Sequence, residues 1–347
     1  MHSLDLLEAD ARRALRGVDC DRLSAADVLI TGGSGLIGTH LCFCLNAAGR
    51  RNAKAPRVVV ATGRGVAQWL RAIEDPGKLD LLPGDLTDPD FVSSLPSADV
   101  IIHCATYGQP GKFLENQLGT LHLNTATTLQ LLAKLRPGGS FLFMSSSEVY
   151  SGLTRVPFAE NAIGTTQPDH PRAAYIEGKR CGEAICAAAR ARGVQARSVR
   201  LCLAYGPGTR AGDQRILSEL VSRGVSQGEV WLRDHGSALR AYCYVADAVH
   251  MILQVLLHGR HGTYNVGGPA LTSIADLAAV VADELDVPVR IPAGQDRHHS
   301  DGAPDAAAVD ISLFESEFEA VDFLPLRDGV RRTIEWHRAL ATEVEAS

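Results

Sequence analysis

Two rhythms of hydrophobic and polar positions alternate through the first part of the chain. Short apolar runs at Val28–Ile30, Val58–Ala61, Leu79–Leu82, Val100–His103 and Ser140–Ser145 read as strands. Helical patterns separate them at residues 36–48, 66–74, 116–135 and 175–192. This βαβ alternation predicts a parallel sheet covered on both faces and joined by right-handed crossovers. Ligands in such sheets sit beyond the C-terminal ends of the strands. Segments 31–38, 103–107 and 145–148 each follow a strand end, so they are expected to converge on one crevice.

Elsewhere the pattern is less regular. Leu4, Leu7, Ala11 and Leu15 recur at helical spacing and predict a helix packed on the domain. After Val199–Leu203, a loop is marked by Pro207, Gly208 and Gly212, and short strands follow near Val230–Arg233 and Thr263–Val266. Ser273, with Asp276 as a capping-box partner, predicts a helix to about Asp286. Gln295–Asp305 reads as a surface loop and Arg327–Leu340 as a last helix. The expected organisation is a helical arm over 1–26, a sheet domain over 27–200, and a smaller α/β lid over 201–347 with interleaved segments.

Composition narrows the function classes. With 347 residues, 46% hydrophobic and 21% charged, the chain reads as an ordinary soluble globular protein. A net charge of −6 argues against a nucleic-acid partner. The eight cysteines lack C-x-x-C or zinc-like spacing, so no metal is expected and a reducing, cytoplasmic compartment is. The charged N-terminal stretch is not a secretory signal, and no apolar run is long enough for a membrane span.

The chemistry is concentrated in a few motifs. Val28–Gly38 reads as strand, glycine turn and helix opening, with Gly32, Gly35 and Gly38 letting the backbone approach a pyrophosphate at the helix N-terminus. Tyr175 and Lys179, four apart on a helix, face one way. A lysine near the phenol would lower its pKa and make it a general acid/base. Ser145, Ser146 and Ser147 lie upstream, and Ser146 would hydrogen-bond the reacting oxygen. The bland alternative is a surface tyrosine beside a solvated lysine. The motifs together point instead to a nicotinamide enzyme working through a tyrosine.

These residues, with Gly84-Asp85-Leu86-Thr87-Asp88, His103-Cys104-Ala105, Ser145-Ser146-Ser147-Glu148-Val149-Tyr150, Tyr205-Gly206-Pro207 and Arg240-Ala241-Tyr242-Cys243-Tyr244-Val245-Ala246-Asp247, resemble the extended short-chain dehydrogenase/reductase family. The resemblance runs from about residue 27 to 340 and is to its sugar-nucleotide epimerases, dehydratases and decarboxylases. It implies a Rossmann-type doubly wound sheet with a C-terminal substrate-binding lid. Implied cofactor contacts are Gly32, Gly35, Leu36, Ile37, Arg64, Asp85, Leu86, Cys104, Ala105, Tyr175 and Lys179, with Ser146, Glu148, Tyr175 and Lys179 catalytic. Gln109, Lys112, Glu148, Arg215 and Arg240 would face the nucleotide sugar. Relatives of this type dimerise through the helix pair 116–135 and 175–192, so a homodimer is expected.

Ser147-Glu148, the run Pro171–Arg180, Gly212-Asp213-Gln214-Arg215 and Gly236–Tyr242 are most similar to UDP-glucuronate decarboxylases. That resemblance implies NAD-dependent oxidation at C4, loss of CO2, and release of UDP-xylose or a 4-keto pentose. A 4,6-dehydratase or 4-epimerase acting on a nucleotide hexose stays open, as does a catalytically silent nucleotide-sugar binder. Three positions depart from the pattern. Thr62-Gly63-Arg64 lacks the acid that holds the ribose 2′-OH, which leaves NADP open beside NAD; Leu203 replaces an asparagine; Phe113 stands where decarboxylases usually carry a tyrosine.

Overall fold

The computed structural model describes residues 2–51, 55–63, 65–293 and 304–345. Arg64 and most of the Gln295–Asp305 segment lie outside them. In chain order the elements are α1 (Ser3–Ala14), β1 (Asp27–Thr31), α2 (Leu36–Arg51), β2 (Arg57–Thr62), α3 (Gln68–Arg71), β3 (Leu79–Pro83), α4 (Pro89–Ser94), β4 (Ala98–His103), α5 (Pro110–Glu115), α6 (Gln117–Asn124), α7 (Ala126–Leu132), β5 (Leu135–Ser146), α8 (Ala173–Arg190) and β6 (Gln195–Leu201). The second part contains β7 (Ala204–Tyr205), α9 (Ile216–Gln227), β8 (Val230–Trp231), β9 (Leu239–Ala241), β10 (Cys243–Tyr244), α10 (Val245–His258), β11 (Thr263–Val266), β12 (Leu271–Ser273), α11 (Ile274–Leu285), β13 (Val289–Arg290), β14 (Ala306–Ala307), α12 (Ser312–Glu317) and α13 (Leu326–Glu345).

Seven parallel strands form the main sheet in the order β11-β6-β5-β4-β1-β2-β3. The chain leaves β1 toward β2 and β3, then returns to its other side for β4, which makes β1/β4 the switch point. Side chains alternate between two cores, as a strand period of two requires. Leu29, Val59, Ala61, Ile101, Phe141 and Phe143 meet Val92, Leu123, Leu131 and Cys186 on one face. Val28, Ile30, Val58, Val60, Ile102, Leu142 and Val199 meet α1, α2, α10 and α13 on the other. Burial on both faces explains why these strands are continuous apolar runs. The expected doubly wound sheet is the observed one, and β11 from the second part of the chain completes it.

Some local expectations change. The pattern over 116–135 is two helices, because Thr125 (φ −119, ψ −78) interrupts α6 and α7. Its Oγ1 donates to Leu121 O at 2.7 Å, a back-bond that competes with the helix ladder. The helix expected over 66–74 shortens to α3. By contrast, Ser273 Oγ accepts from Asp276 N at 2.9 Å and caps α11 as expected. The helix α10 is absent from the sequence expectation. Val245–Val249, Met251–Leu253 and Val255–Leu257 are all buried, and the polar positions Asp247, His250, Gln254 and His258 form only a narrow stripe in a run that is otherwise apolar.

The arm α1 is fixed by charge. Buried Asp10 accepts from Tyr244 OH at 2.8 and 2.9 Å and from Arg332 Nη2 at 2.8 Å, beside His40 of α2. Arg13 pairs with Asp247 of α10 at 2.6 Å. Among the described residues no helix is long and apolar enough to cross a membrane.

Candidate active site

The glycine turn links β1 to α2 at the switch point. Gly32 has φ +75, and a Cβ there would lie 2.7 Å from Ala105 Cα and Ala105 N. At Gly38 it would lie 2.4 Å from Gly32 O. The first glycine thus permits the turn and the approach to Cys104–Ala105 after β4, and the last lets α2 pack on the turn. Thr31 and His103, paired in register at the two strand ends, are joined by an Oγ1···Nδ1 contact of 2.7 Å. Burial pushes His103 down to about 4, so it is a neutral structural tie. Leu36 and Ile37 are half-buried at the start of α2. Asp85, exposed after β3, accepts from Thr87 N (2.9 Å) and Oγ1 (2.7 Å), while Leu86 is buried. Ser34 Oγ in the glycine turn and Thr62 Oγ1 at the end of β2 are buried without a hydrogen-bond partner among the described residues. A cradle that any Cβ would fill, with these two hydroxyls beside it, fits a dinucleotide.

The second cluster lies at the end of β5. Ser146 hydrogen-bonds Tyr175, and its Oγ also accepts from Glu148 N at 3.2 Å. Tyr175 is 7% exposed. Burial pushes its phenol up to about 12, the Ser146 hydrogen bond and the charges of Arg172 and Arg215 pull it down, and Glu148 pushes it up. Lys179, 2% exposed, lies 5.8 Å from the Tyr175 ring centroid and donates to Met144 O at 2.5 Å. Burial pulls its ammonium down to about 7, against the opposing pull of Cys104 and Glu183. The expected lowering of the phenol by Lys179 is therefore not what dominates here: burial perturbs both groups toward their neutral forms.

Glu148 stands on a 3-10 turn, Ser147–Tyr150, directly after Ser146. Its carboxylate is gripped by Arg172, with Nε donating at 3.1 Å and Nη2 to the second oxygen. Arg172 precedes Tyr175 by three residues at the start of α8 and was not among the expected site residues. Its signal is the helical spacing from the tyrosine. Phe113 of α5 stacks on Tyr175 with centroids 4.6 Å apart and planes at 14°, and the Arg172 guanidinium lies 5.2 Å from the Phe113 centroid.

The expected substrate residues separate into two groups. Gln109 Nε2 donates to Asp213 at 2.9 Å, and Arg215 grips the same carboxylate through Nε and Nη2, at 2.7 Å for the latter. Asp213, which joins them, was another residue missed. Arg240 is half-buried on β9 and lies within electrostatic reach of Glu148 and Arg172; burial lowers its pKa. Tyr242 OH, two residues on, is buried without a hydrogen-bond partner among the described residues. Lys112 differs from its neighbours in being exposed on α5, while Phe113 beside it turns inward. No group of three or more metal-ligating side chains occurs among the described residues.

Comparison with known proteins agrees with this geometry. Residues 28–267 match the NAD dependent epimerase/dehydratase family. A protein from Xenopus tropicalis named UDP-glucuronic acid decarboxylase 1 is 29% identical over 73% of this chain and 59% of its own length, so the matched region spans under two thirds of that relative. UDP-glucuronic acid decarboxylase 6 of Arabidopsis thaliana is 30% identical over 76% of each chain. Among solved structures, MoeE5 in complex with UDP-glucuronic acid and NAD superposes with a TM-score of 0.72 at 25% identity, covering 90% of this chain and 99% of that one. The chain belongs to the NAD dependent epimerase/dehydratase family, and its cofactor is NAD.

Proposed function

We propose that the protein decarboxylates UDP-glucuronate through a 4-keto intermediate. The observation that carries this reading is a group of cations near a buried tyrosine: Arg172 and Arg215 act on Tyr175 together with Glu148, and Arg240 lies within electrostatic reach of Arg172 and Glu148. Guanidinium groups suit both a uronate carboxylate and a nucleoside diphosphate. The names of the curated relatives support the same substrate.

NAD, when bound, accepts the C4 hydride and can return it. Tyr175 Oη, oriented by Ser146, removes the proton of the 4-hydroxyl, and the charges of Arg172 and Arg215 favour the phenolate. Oxidation at C4 puts the carboxylate β to a ketone. The C5–C6 bond then breaks, CO2 leaves, and the electron pair passes to the C4 oxygen as an enolate. Hydrogen bonds from Tyr175 and Ser146 stabilise that oxygen. Protonation at C5 gives the 4-keto pentose. Its reduction gives UDP-xylose, and release without reduction gives the keto sugar. Arg215 and Arg240 anchor the diphosphate in this scheme, while the Glu148–Arg172 pair positions the sugar.

Phe113 favours a second reading. An apolar ring covers Tyr175 where decarboxylases usually carry a tyrosine. That surface suits a neutral hexose and hence a 4,6-dehydratase or 4-epimerase. We also propose a homodimer through α6, α7 and α8. Leu118 and Leu129 are 81% and 57% exposed there, beside exposed Cys181, Ala184, Ala187 and Ala188.

The test is mass spectrometry with proton NMR on protein incubated with UDP-glucuronate, with and without added NAD. Loss of CO2 is expected, and the spectra distinguish alcohol from ketone. Unchanged substrate, with turnover of a nucleotide hexose, would replace this reading with the second.

A further inference from the structure

The loop after β7 reaches the cofactor crevice from the opposite part of the molecule. Gly206 (φ +143) and Gly208 (φ +87) give it a path closed to other residues, and a Cβ on Gly208 would lie 3.1 Å from the His40 ring of α2. The loop is anchored independently of the crevice. Thr209 Oγ1 donates to Gly206 O at 2.8 Å, and the fully buried Trp336 of α13 donates its Nε1–H to Thr209 O at 2.7 Å. Trp336 packs edge-on against Trp69 of α3 with centroids 5.0 Å apart.

From this fixed base Arg210 crosses to two other loops. Its Nε donates to Ser34 O in the glycine turn at 3.0 Å, and its Nη2 donates to Gly65 O after β2 at 2.8 Å. Those are the turns that border the crevice at the C-terminal ends of β1 and β2. Among the described residues no carboxylate pairs with Arg210. The cation is therefore not there to neutralise a protein charge; it spans the rim of an anion-binding turn. Ser34 adds a buried hydroxyl without a partner beneath it.

We infer that Arg210 is a latch that keeps the dinucleotide seated, by tying the glycine turn and the β2 loop to the substrate-side loop and by setting its positive charge at the rim where the diphosphate lies. This rests on NAD as the cofactor. It fits a reaction in which hydride is borrowed and returned at C4, because the dinucleotide is regenerated in place and gains nothing from rapid exchange. Arg210 is a positioning residue in this role and makes no contact with reacting atoms.

The experiment follows release of labelled NAD from the loaded full-length protein during a chase with excess unlabelled NAD. Arg210→Ala, with unfolding temperature and circular dichroism checked, is expected to release NAD at least about tenfold faster than wild type, the equivalent of one charge-assisted hydrogen bond. Arg210→Lys, which can reach one carbonyl at a time, is expected to fall between. Arg210→Gln keeps hydrogen bonding without the charge and is read by the same criterion if the alanine variant does not fold. A folded variant releasing NAD at the wild-type rate overturns the latch alone; a wild type that takes up no NAD overturns the latch and the cofactor assignment together.

Discussion

Two arginine–carboxylate pairs lie close together around the end of β5 and have opposite surroundings. Arg200 and Glu183 are 7% and 11% exposed. Arg200 grips the Glu183 carboxylate at 2.7–3.2 Å, and its Nη1 donates to Tyr150 OH, Glu160 O and Ala162 O. Ser145 Oγ takes the remaining face of Glu183 at 2.5 Å, and Tyr150 continues to Asn265 of β11 at 2.7 Å. Arg172 and Glu148 are also buried on the arginine side, at 6%, but the carboxylate is 19% exposed. Besides Arg172 its carboxylate accepts from Ser151 Oγ at 3.2 Å, and Tyr175 and Arg240 lie within electrostatic reach of it. A fully satisfied buried pair fixes structure, whereas a charged pair left open beside a buried phenol has capacity to meet a ligand. The first pair holds the Ser147–Tyr150 turn, and the second uses the position so fixed.

The sharpest break between the two regions is expected at Tyr175. Tyr175→Phe removes a hydroxyl whose hydrogen bond is to Ser146. Turnover should fall by about 10²–10⁴-fold, with sugar-nucleotide binding by calorimetry retained. Retained turnover would remove the tyrosine from the chemistry. Arg200→Met should act the other way. It leaves Glu183 buried and unpaired, so unfolding in denaturant is expected to show a loss of about 3–5 kcal/mol. Glu148→Gln keeps size but turns one acceptor oxygen facing Arg172 into a donor; because this carboxylate is 19% exposed, it should still cost less stability than Arg200→Met while lowering kcat by roughly tenfold or more. If Glu148→Gln proved the more destabilising variant, the assignment of the two pairs to structure and function would be reversed.

Lys179 provides a pH test of the same division. Burial sets its folded pKa at about 7, against 10.5 in the unfolded chain. Between those values the unfolded chain carries a proton that the folded protein does not, so stability rises with pH across the window. Below about 7 both states carry it and the cost of burying the charge is felt in full. Wild type should therefore gain stability relative to Lys179→Met as pH rises from 7 to 9, measured by denaturant midpoints. Tyr175, raised to about 12, acts in the opposite direction only above its ordinary value of 10. Parallel pH profiles would mean that Lys179 stays charged when folded.

The cofactor side was legible in the sequence because it is made of backbone. Glycines at 32, 35 and 38 and apolar strands announce themselves within a dozen residues, and the βαβ alternation implies a parallel sheet with right-handed crossovers. The substrate side was only partly legible. Ser146, Tyr175 and Lys179 have a local spacing, but Gln109 and Asp213 meet across 104 positions, and Arg200 and Tyr150 across 50. Nothing local in the chain records such pairings. Lys112 illustrates the converse: one residue from buried Phe113, it is exposed on a short helix. The break at Thr125 carried neither glycine nor proline, so the pattern over 116–135 read as one helix.

Phe113→Tyr tests the finest distinction with the smallest expected effect. The ring is 2% exposed and stacked on Tyr175, so the substitution adds one hydroxyl at its edge near Arg172 and leaves the stack in place. If the site accepts a uronate, that hydroxyl offers a donor to the carboxylate. The ratio of kcat/KM for UDP-glucuronate over a nucleotide hexose should then rise by up to about tenfold, the value of one hydrogen bond to a charged group. If the site is built for a neutral sugar, the buried hydroxyl gains no partner. The variant then loses about 1–3 kcal/mol of stability with no gain for the uronate. The two outcomes move different observables, so one variant separates a decarboxylase that has exchanged a polar contact for an aromatic stack from an epimerase or dehydratase whose catalytic tyrosine is sheltered by it.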